Sequence, residues 1–133
     1  MESRLILETT FLIDLEREMR EGVGGAARAF LERHEGSRLD TTFTVAGELA
    51  SGTSAHRHSA WEELLRPFRI LQSSPEVCWK YGEIYRYLAA NGMLIGASDL
   101  WIAATALSND LPVVTADEVH YRRVPGLRVV KYR

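Results

Sequence analysis

Gly96-Ala97-Ser98-Asp99-Leu100-Trp101-Ile102-Ala103-Ala104-Thr105-Ala106-Leu107-Ser108-Asn109-Asp110-Leu111-Pro112-Val113-Val114-Thr115-Ala116-Asp117 reads as a helix followed by a strand. The helix opens at Ser98 and Asp99 and is apolar on nearly every side through Leu100, Trp101, Ile102, Ala103, Ala104, Ala106 and Leu107. Such a helix belongs in the interior of a domain. Asn109 and Asp110 end it, Pro112 opens a short strand at Val113 and Val114, and Thr115-Ala116-Asp117 follows. An α/β hairpin of this kind runs antiparallel, so the start of the helix lies beside the end of the strand. Asp99 and Asp117, 18 residues apart, then meet at one edge of a sheet. Taken singly, each has an ordinary use: an Asp at a helix start caps it or answers its dipole, and an Asp after a strand makes a turn. The case for chemistry depends on what else reaches that edge.

Outward from this stretch, strands and helices alternate. Leu5-Ile6-Leu7 is a short buried strand ending on Glu8. A helix over residues 10–21 sets Phe11, Leu12, Leu15 and Met19 on one face, and the glycines at 22, 24 and 25 break it. A second helix over 26–35 turns Ala27, Phe30 and Leu31 inward and stops at Gly36. A strand is expected at 39–42. Thr44 then caps a helix carrying Glu48, which stops at Gly52. Residues 53–59 are polar, 61–65 helical, and 68–71 a third strand. Pro75 sits in the first turn of a helix over 75–90, which buries Val77, Tyr81, Ile84, Tyr85 and Leu88 and ends at Asn91-Gly92. Residues 119–126 read as a basic loop or short turn and 127–130 as a last strand. The alternation predicts an α/β fold in three layers, with a mostly parallel sheet covered on both faces.

One domain of 133 residues buries roughly two-thirds of its chain surface. With 46% apolar and 26% charged residues it has the make-up of an ordinary soluble protein. A net charge of −2 gives no global attraction for nucleic acid or membrane, so a nucleic-acid partner needs a local basic patch or bound cations. The lone Cys78 excludes an internal disulfide and fits a reducing compartment. No apolar run approaches the ~20 residues of a membrane span, and the N-terminus lacks signal-peptide features. A cytoplasmic location is the expectation.

In a parallel sheet, ligands bind beyond the carboxyl ends of the strands. Glu8 follows the first strand and Asp117 the fourth, Glu48 lies in the first turns of the helix after the second strand, and Asp99 opens the helix before the fourth. Four acids gathered at one edge repel one another unless cations neutralise them. Carboxylates with water are the ligand set of Mg²⁺ or Mn²⁺, with substrate phosphate completing the shell. The chemistry is metal-dependent phosphoryl transfer, most simply a nuclease.

These residues resemble a known family. Leu7-Glu8-Thr9-Thr10-Phe11-Leu12-Ile13-Asp14-Leu15, Val45-Ala46-Gly47-Glu48-Leu49-Ala50-Ser51-Gly52, the run from Ser98 to Ala106, and Val113 to Asp117 are similar to the four signatures of PIN-domain ribonucleases, in order and across essentially the whole chain. The nearest subgroup is the VapC-type toxins of toxin–antitoxin pairs. The resemblance implies a Rossmann-like sheet, Mg²⁺ or Mn²⁺ as cofactor, RNA as substrate, a homodimer, and inhibition by a cognate antitoxin. It carries the acidic cluster onto Glu8, Glu48, Asp99 and Asp117, with Thr9 and Thr115 as supporting polar residues. Glu8 departs from the pattern, which has Asp there. The extra methylene displaces its oxygens by about a C–C bond, and ~1 Å of misplacement can cost ~100-fold in rate. Two alternatives stay open: a catalytically impaired PIN module that acts by binding, and a metal-dependent phosphatase.

Other groups weigh less. His56 and His58 have no cysteine or third histidine near them and read as solvated. His120 reaches at most a water beside the cluster, and Tyr121 is core. Asp14 is a surface or capping acid. Trp101, Tyr81, Tyr85 and Tyr87 are packing groups. Arg17, Arg122 and Arg123 are candidate phosphate contacts, and the basic end with Arg128, Lys131 and Arg133 is either a solvated face or an RNA rim.

Overall fold

A computed structural model describes residues 3–52 and 57–133. Its elements run β1 (Arg4–Leu7), α1 (Thr9–Glu21), α2 (Ala26–Arg33), β2 (Arg38–Thr42), α3 (Phe43–Ala50), α4 (His58–Leu65), β3 (Arg69–Leu71), α5 (Pro75–Ala90), α6 (Ala97–Ser108), β4 (Val113–Thr115), α7 (Glu118–Tyr121) and β5 (Val129–Lys131). Five strands form one sheet in the order β3-β2-β1-β4-β5. Every neighbouring pair is parallel. Helices cover both faces of the sheet, and the apolar residues of its central strands lie inside: Ile6, Leu7, Val113 and Val114 are fully buried. The expected α/β architecture is what the chain adopts.

Several boundaries differ for identifiable reasons. Thr42, not Thr44, caps α3: its extended backbone closes β2 and its hydroxyl accepts from the Val45 N–H at 3.2 Å. Helix α6 begins at Ala97, with Gly96 in the capping position, so Asp99 sits inside the first turn. Residues 118–121 form the single turn α7, at the start of the stretch expected to be a basic loop or short turn. Met19 keeps the helical spacing of its neighbours yet is 58% exposed, and Tyr85 lies on the open side of α5. Spacing assigns a residue to a face but does not say whether anything covers it. Trp101 and Tyr81 pack as expected, their rings stacked at 4.1 Å.

Three buried acids lie outside the expected cluster. Asp40, in the middle of β2, is wholly buried among Arg4 at 2.9 Å, Arg69 at 3.7 Å and Arg38 at 3.8 Å. Asp14 is no surface acid. It is buried and bonded to the Tyr132 hydroxyl, and Arg133 Nε donates to it at 2.7 Å, so it ties the end of the chain to α1. Burial alone would raise the Asp14 pKa, but the Tyr132 and Arg133 hydrogen bonds outweigh it and hold it below the usual carboxylate range. Burial, with the bond to Asp14, pushes Tyr132 up to about 12.

Glu18 is the third. Its carboxylate leaves α1 to accept from the Ala27 N–H at 3.1 Å and the Arg28 N–H at 3.0 Å, capping α2, whose own N-cap Gly25 offers no side chain. A Cβ added at Gly25 would fall on that carboxyl group. Gly25→Ala should therefore act by dislodging Glu18. Each of Gly25→Ala and Glu18→Ala should cost about 1–2 kcal/mol, the scale of a lost helix cap. The double variant should cost little more than either alone. Urea unfolding reads this, and strictly additive losses would show that the two residues act separately.

Candidate active site

The carboxyl ends of β1 and β4 lie side by side, with Leu7 in register with Val114, and the residues just beyond them face each other. Glu8 follows β1 as the N-cap of α1. Its Oε1 accepts from the Thr10 N–H at 2.9 Å, from the Thr115 hydroxyl at 2.9 Å, and from the Thr10 hydroxyl. Its Oε2 faces the Tyr121 hydroxyl at 3.2 Å. Glu8 is 97% buried, and burial raises its pKa despite these bonds, which favour the charged form.

Tyr121 joins the two sides of the site. Its ring is wholly buried, as read from the sequence, but its hydroxyl lies 3.2 Å from Asp99 Oδ1 as well as from Glu8. One phenolic proton serves two carboxylates. Burial and the two acids push the Tyr121 pKa well above its ordinary value, so the group stays a neutral donor. Asp99 in α6 and Asp117 after β4 do meet, as the hairpin argument requires. One carboxylate oxygen of each lies 3.4 Å from Nδ1 of His120. The donor atoms of Asp99, Asp117 and His120 all fall within 4.8 Å of one another. Glu48 stands a step away and accepts from the Thr9 hydroxyl at 2.7 Å. Thr115 donates to Glu8 and accepts from the Asp117 N–H at 2.9 Å, linking two of the acids.

Of the expected site residues, Asp99 and Asp117 form the open part and Glu8 the buried part, while Glu48 is joined to the strand end through Thr9. His120 is closer than expected, touching two carboxylates directly. Thr10 and the Tyr121 hydroxyl were not anticipated. A glutamate directly before a helix, with a threonine two residues on, was a usable sign of the first; nothing in the sequence marked the second. The candidate phosphate contacts already hold protein partners: Arg17 pairs with Asp14 at 3.3 Å, Arg122 with Glu118 at 2.7 Å, and Arg123 donates to the Leu94 carbonyl at 3.1 Å. His58 opens α4 and pairs with Glu62 in an exposed position. His56 lies outside the described residues.

The donor set fits a small divalent cation. Two carboxylates with convergent oxygens are half-exposed at a sheet edge, where water and phosphate can complete a shell. The PIN domain family matches residues 5–127. Ribonuclease VapC1 of Methanocaldococcus jannaschii is 30% identical over 132 residues, covering 96% of this chain and 88% of that protein. The crystal structure of VapBC2 from Rickettsia felis bound to a promoter DNA fragment superposes with a TM-score of 0.84 at 21% identity, covering 98% of this chain and 99% of that one. VapBC-1 from nontypeable Haemophilus influenzae gives a TM-score of 0.78 at 25% identity, covering 97% and 98%. From its sheet order, the acids at its strand ends and its likeness to these relatives, the chain belongs to the PIN-domain family.

Proposed function

We propose that this protein is a divalent-metal-dependent endoribonuclease, the toxin of a toxin–antitoxin pair. The observation that carries it is the convergence of Asp99 and Asp117 at the ends of β4 and α6, beside Glu8 and Glu48. Its relatives' description as ribonucleases supports RNA as the substrate. Asp99 and Asp117 would hold the cation, with Glu8 and Glu48 completing the acidic surround. When bound, Mg²⁺ or Mn²⁺ supplies charge for the phosphodiester and activates the attacking water. The chain's own residues set the geometry. Thr115 and Thr10 fix the Glu8 carboxylate, Tyr121 ties it to Asp99, and Thr9 orients Glu48. Arg17, Arg122 and Arg123 would exchange their present partners for RNA phosphates.

The same reading assigns the partners. Leu15, Met19, Leu31, Leu64 and Phe68 line an apolar groove between α1, α2 and α4, suited to the apolar face of an antitoxin helix. Trp79 and Tyr87, both exposed and about 80° apart around α5, offer aromatic contacts to a second copy of the chain. Among the described residues no helix is long and apolar enough to cross a membrane.

A second reading, a PIN module that binds without turnover, draws on Glu8, whose oxygens are all engaged by Thr10, Thr115 and Tyr121. Single-turnover cleavage of a fluorescent structured RNA separates the two. The purified, antitoxin-free protein should cut with Mn²⁺ and stop with EDTA. RNA left intact at micromolar protein and millimolar Mn²⁺ would support the binding module instead.

A further inference from the structure

We infer that His120 is a direct ligand of the same cation, giving the centre a nitrogen donor and a preference for Mn²⁺, Co²⁺ and similar ions over Mg²⁺. This rests on the proposed metal-dependent function and extends it to the identity of the ion. Nδ1 of His120 lies 3.4 Å from an oxygen of Asp99 and 3.4 Å from an oxygen of Asp117. It is shielded from solvent and has no aligned hydrogen bond to any described residue. An imidazole serving only as a counter-charge would point an N–H along one of these lines. Here the nitrogen lies 3.4 Å from an oxygen of each acid and is aligned with neither.

The spacing suits a shared ion. Around a cation with ligands at ~2.1 Å, adjacent donors sit about 3 Å apart and opposite ones about 4 Å. The three donor atoms here all lie within 4.8 Å of one another, so an inward shift of a few tenths of an ångström would close the shell. The placement is built into the chain. Asp117 stands at the N-terminal boundary of α7 and His120 falls three residues on, on the same side of that turn. Tyr121, the next residue, is locked in the core with its hydroxyl on Asp99, so α7 cannot swing the imidazole away.

A nitrogen donor changes which ion is favoured. Mg²⁺ prefers oxygen ligands, whereas imidazole binds divalent ions more strongly along the series from Mn²⁺ through Co²⁺ to Cu²⁺.

Two measurements on the full chain test this. Pulsed EPR of the Mn²⁺-loaded protein should show nitrogen modulation from a directly bound imidazole, and His120→Gln should abolish it. Calorimetric titration with Co²⁺ and with Mg²⁺ should find Co²⁺ affinity reduced about 10- to 100-fold in His120→Gln, with Mg²⁺ affinity changed by less than about threefold. The first measurement uses the unmodified protein, so it stands even if the variant folds poorly. Bound Mn²⁺ without nitrogen modulation would overturn the role of His120 while leaving a carboxylate metal site intact. Equal losses for both ions would also overturn it, showing a merely structural histidine. Failure of every cation to bind would instead remove the metal-dependent reading itself.

Discussion

Asp99→Asn should bring RNA cleavage down to the EDTA background while the protein stays folded. Asp99 is the one acid that touches both halves of the site: one oxygen meets the Tyr121 hydroxyl at 3.2 Å and the other faces His120 at 3.4 Å. An amide keeps the shape and removes the charge that attracts the cation. The fall should exceed the roughly 10- to 100-fold that follows loss of a residue merely orienting a ligand. Stability should move the other way or not at all. Asp99 in the first turn of α6 gains a helix-dipole interaction worth about 0.3–1 kcal/mol. Removing it also relieves its repulsion with Asp117 and Glu8, so the metal-free variant should melt within about 5 °C of the unmodified protein. Rates for the amide variant within tenfold of the unmodified protein, at saturating Mn²⁺, would show that the cation does not depend on this carboxylate.

What the sequence revealed of this site depended on the range over which its signals act. The meeting of Asp99 and Asp117 follows from local geometry, because a helix and the next strand in an α/β layer run antiparallel and the apolar run from Leu100 to Leu107 is unmistakably interior. Glu8 was placed by the same logic, as the residue after an apolar strand that had to be central. Tyr121 was legible as an aromatic but not as a bridge, since whether its hydroxyl ends on Glu8 and Asp99 depends on residues 113 and 22 positions away. Helix α7 was legible only as a loop or short turn, because four residues hold barely one turn and show no periodicity. Asp14 was misjudged for a related reason: its partners Tyr132 and Arg133 lie at the far end of the chain, and α1 alone presents it as one more polar position. Met19 shows the converse, with correct spacing and an open face that suits a partner.

Glu8→Asp should raise RNA cleavage by roughly 10- to 100-fold, the scale of a correction near 1 Å at a reacting centre. At present the longer side chain reaches past the strand end, and its carboxyl is held by Thr10, Thr115 and Tyr121 in a pocket whose burial raises its pKa. Aspartate is at least as good an N-cap, so the bond to the Thr10 N–H survives and α1 should lose little. Withdrawing the carboxyl by one methylene lengthens its contact with Tyr121, leaving that hydroxyl to donate to Asp99 alone. The shorter acid loses the tyrosine bond, which favours the charged form, so the gain must come from the placement of its oxygens beside Asp99 and Asp117. Affinity for Mn²⁺ and for Mg²⁺ should both tighten, and Mg²⁺ should gain more because it tolerates an irregular shell less well. With His120 still in place, Mn²⁺ should remain the better ion. The measurement is the single-turnover rate on the structured RNA with each metal, alongside calorimetric metal affinities. Equal rates for the two proteins would show that Glu8 is a helix cap and hydrogen-bond hub without influence on the cation, and that the reacting geometry is set by Asp99, Asp117 and their neighbours.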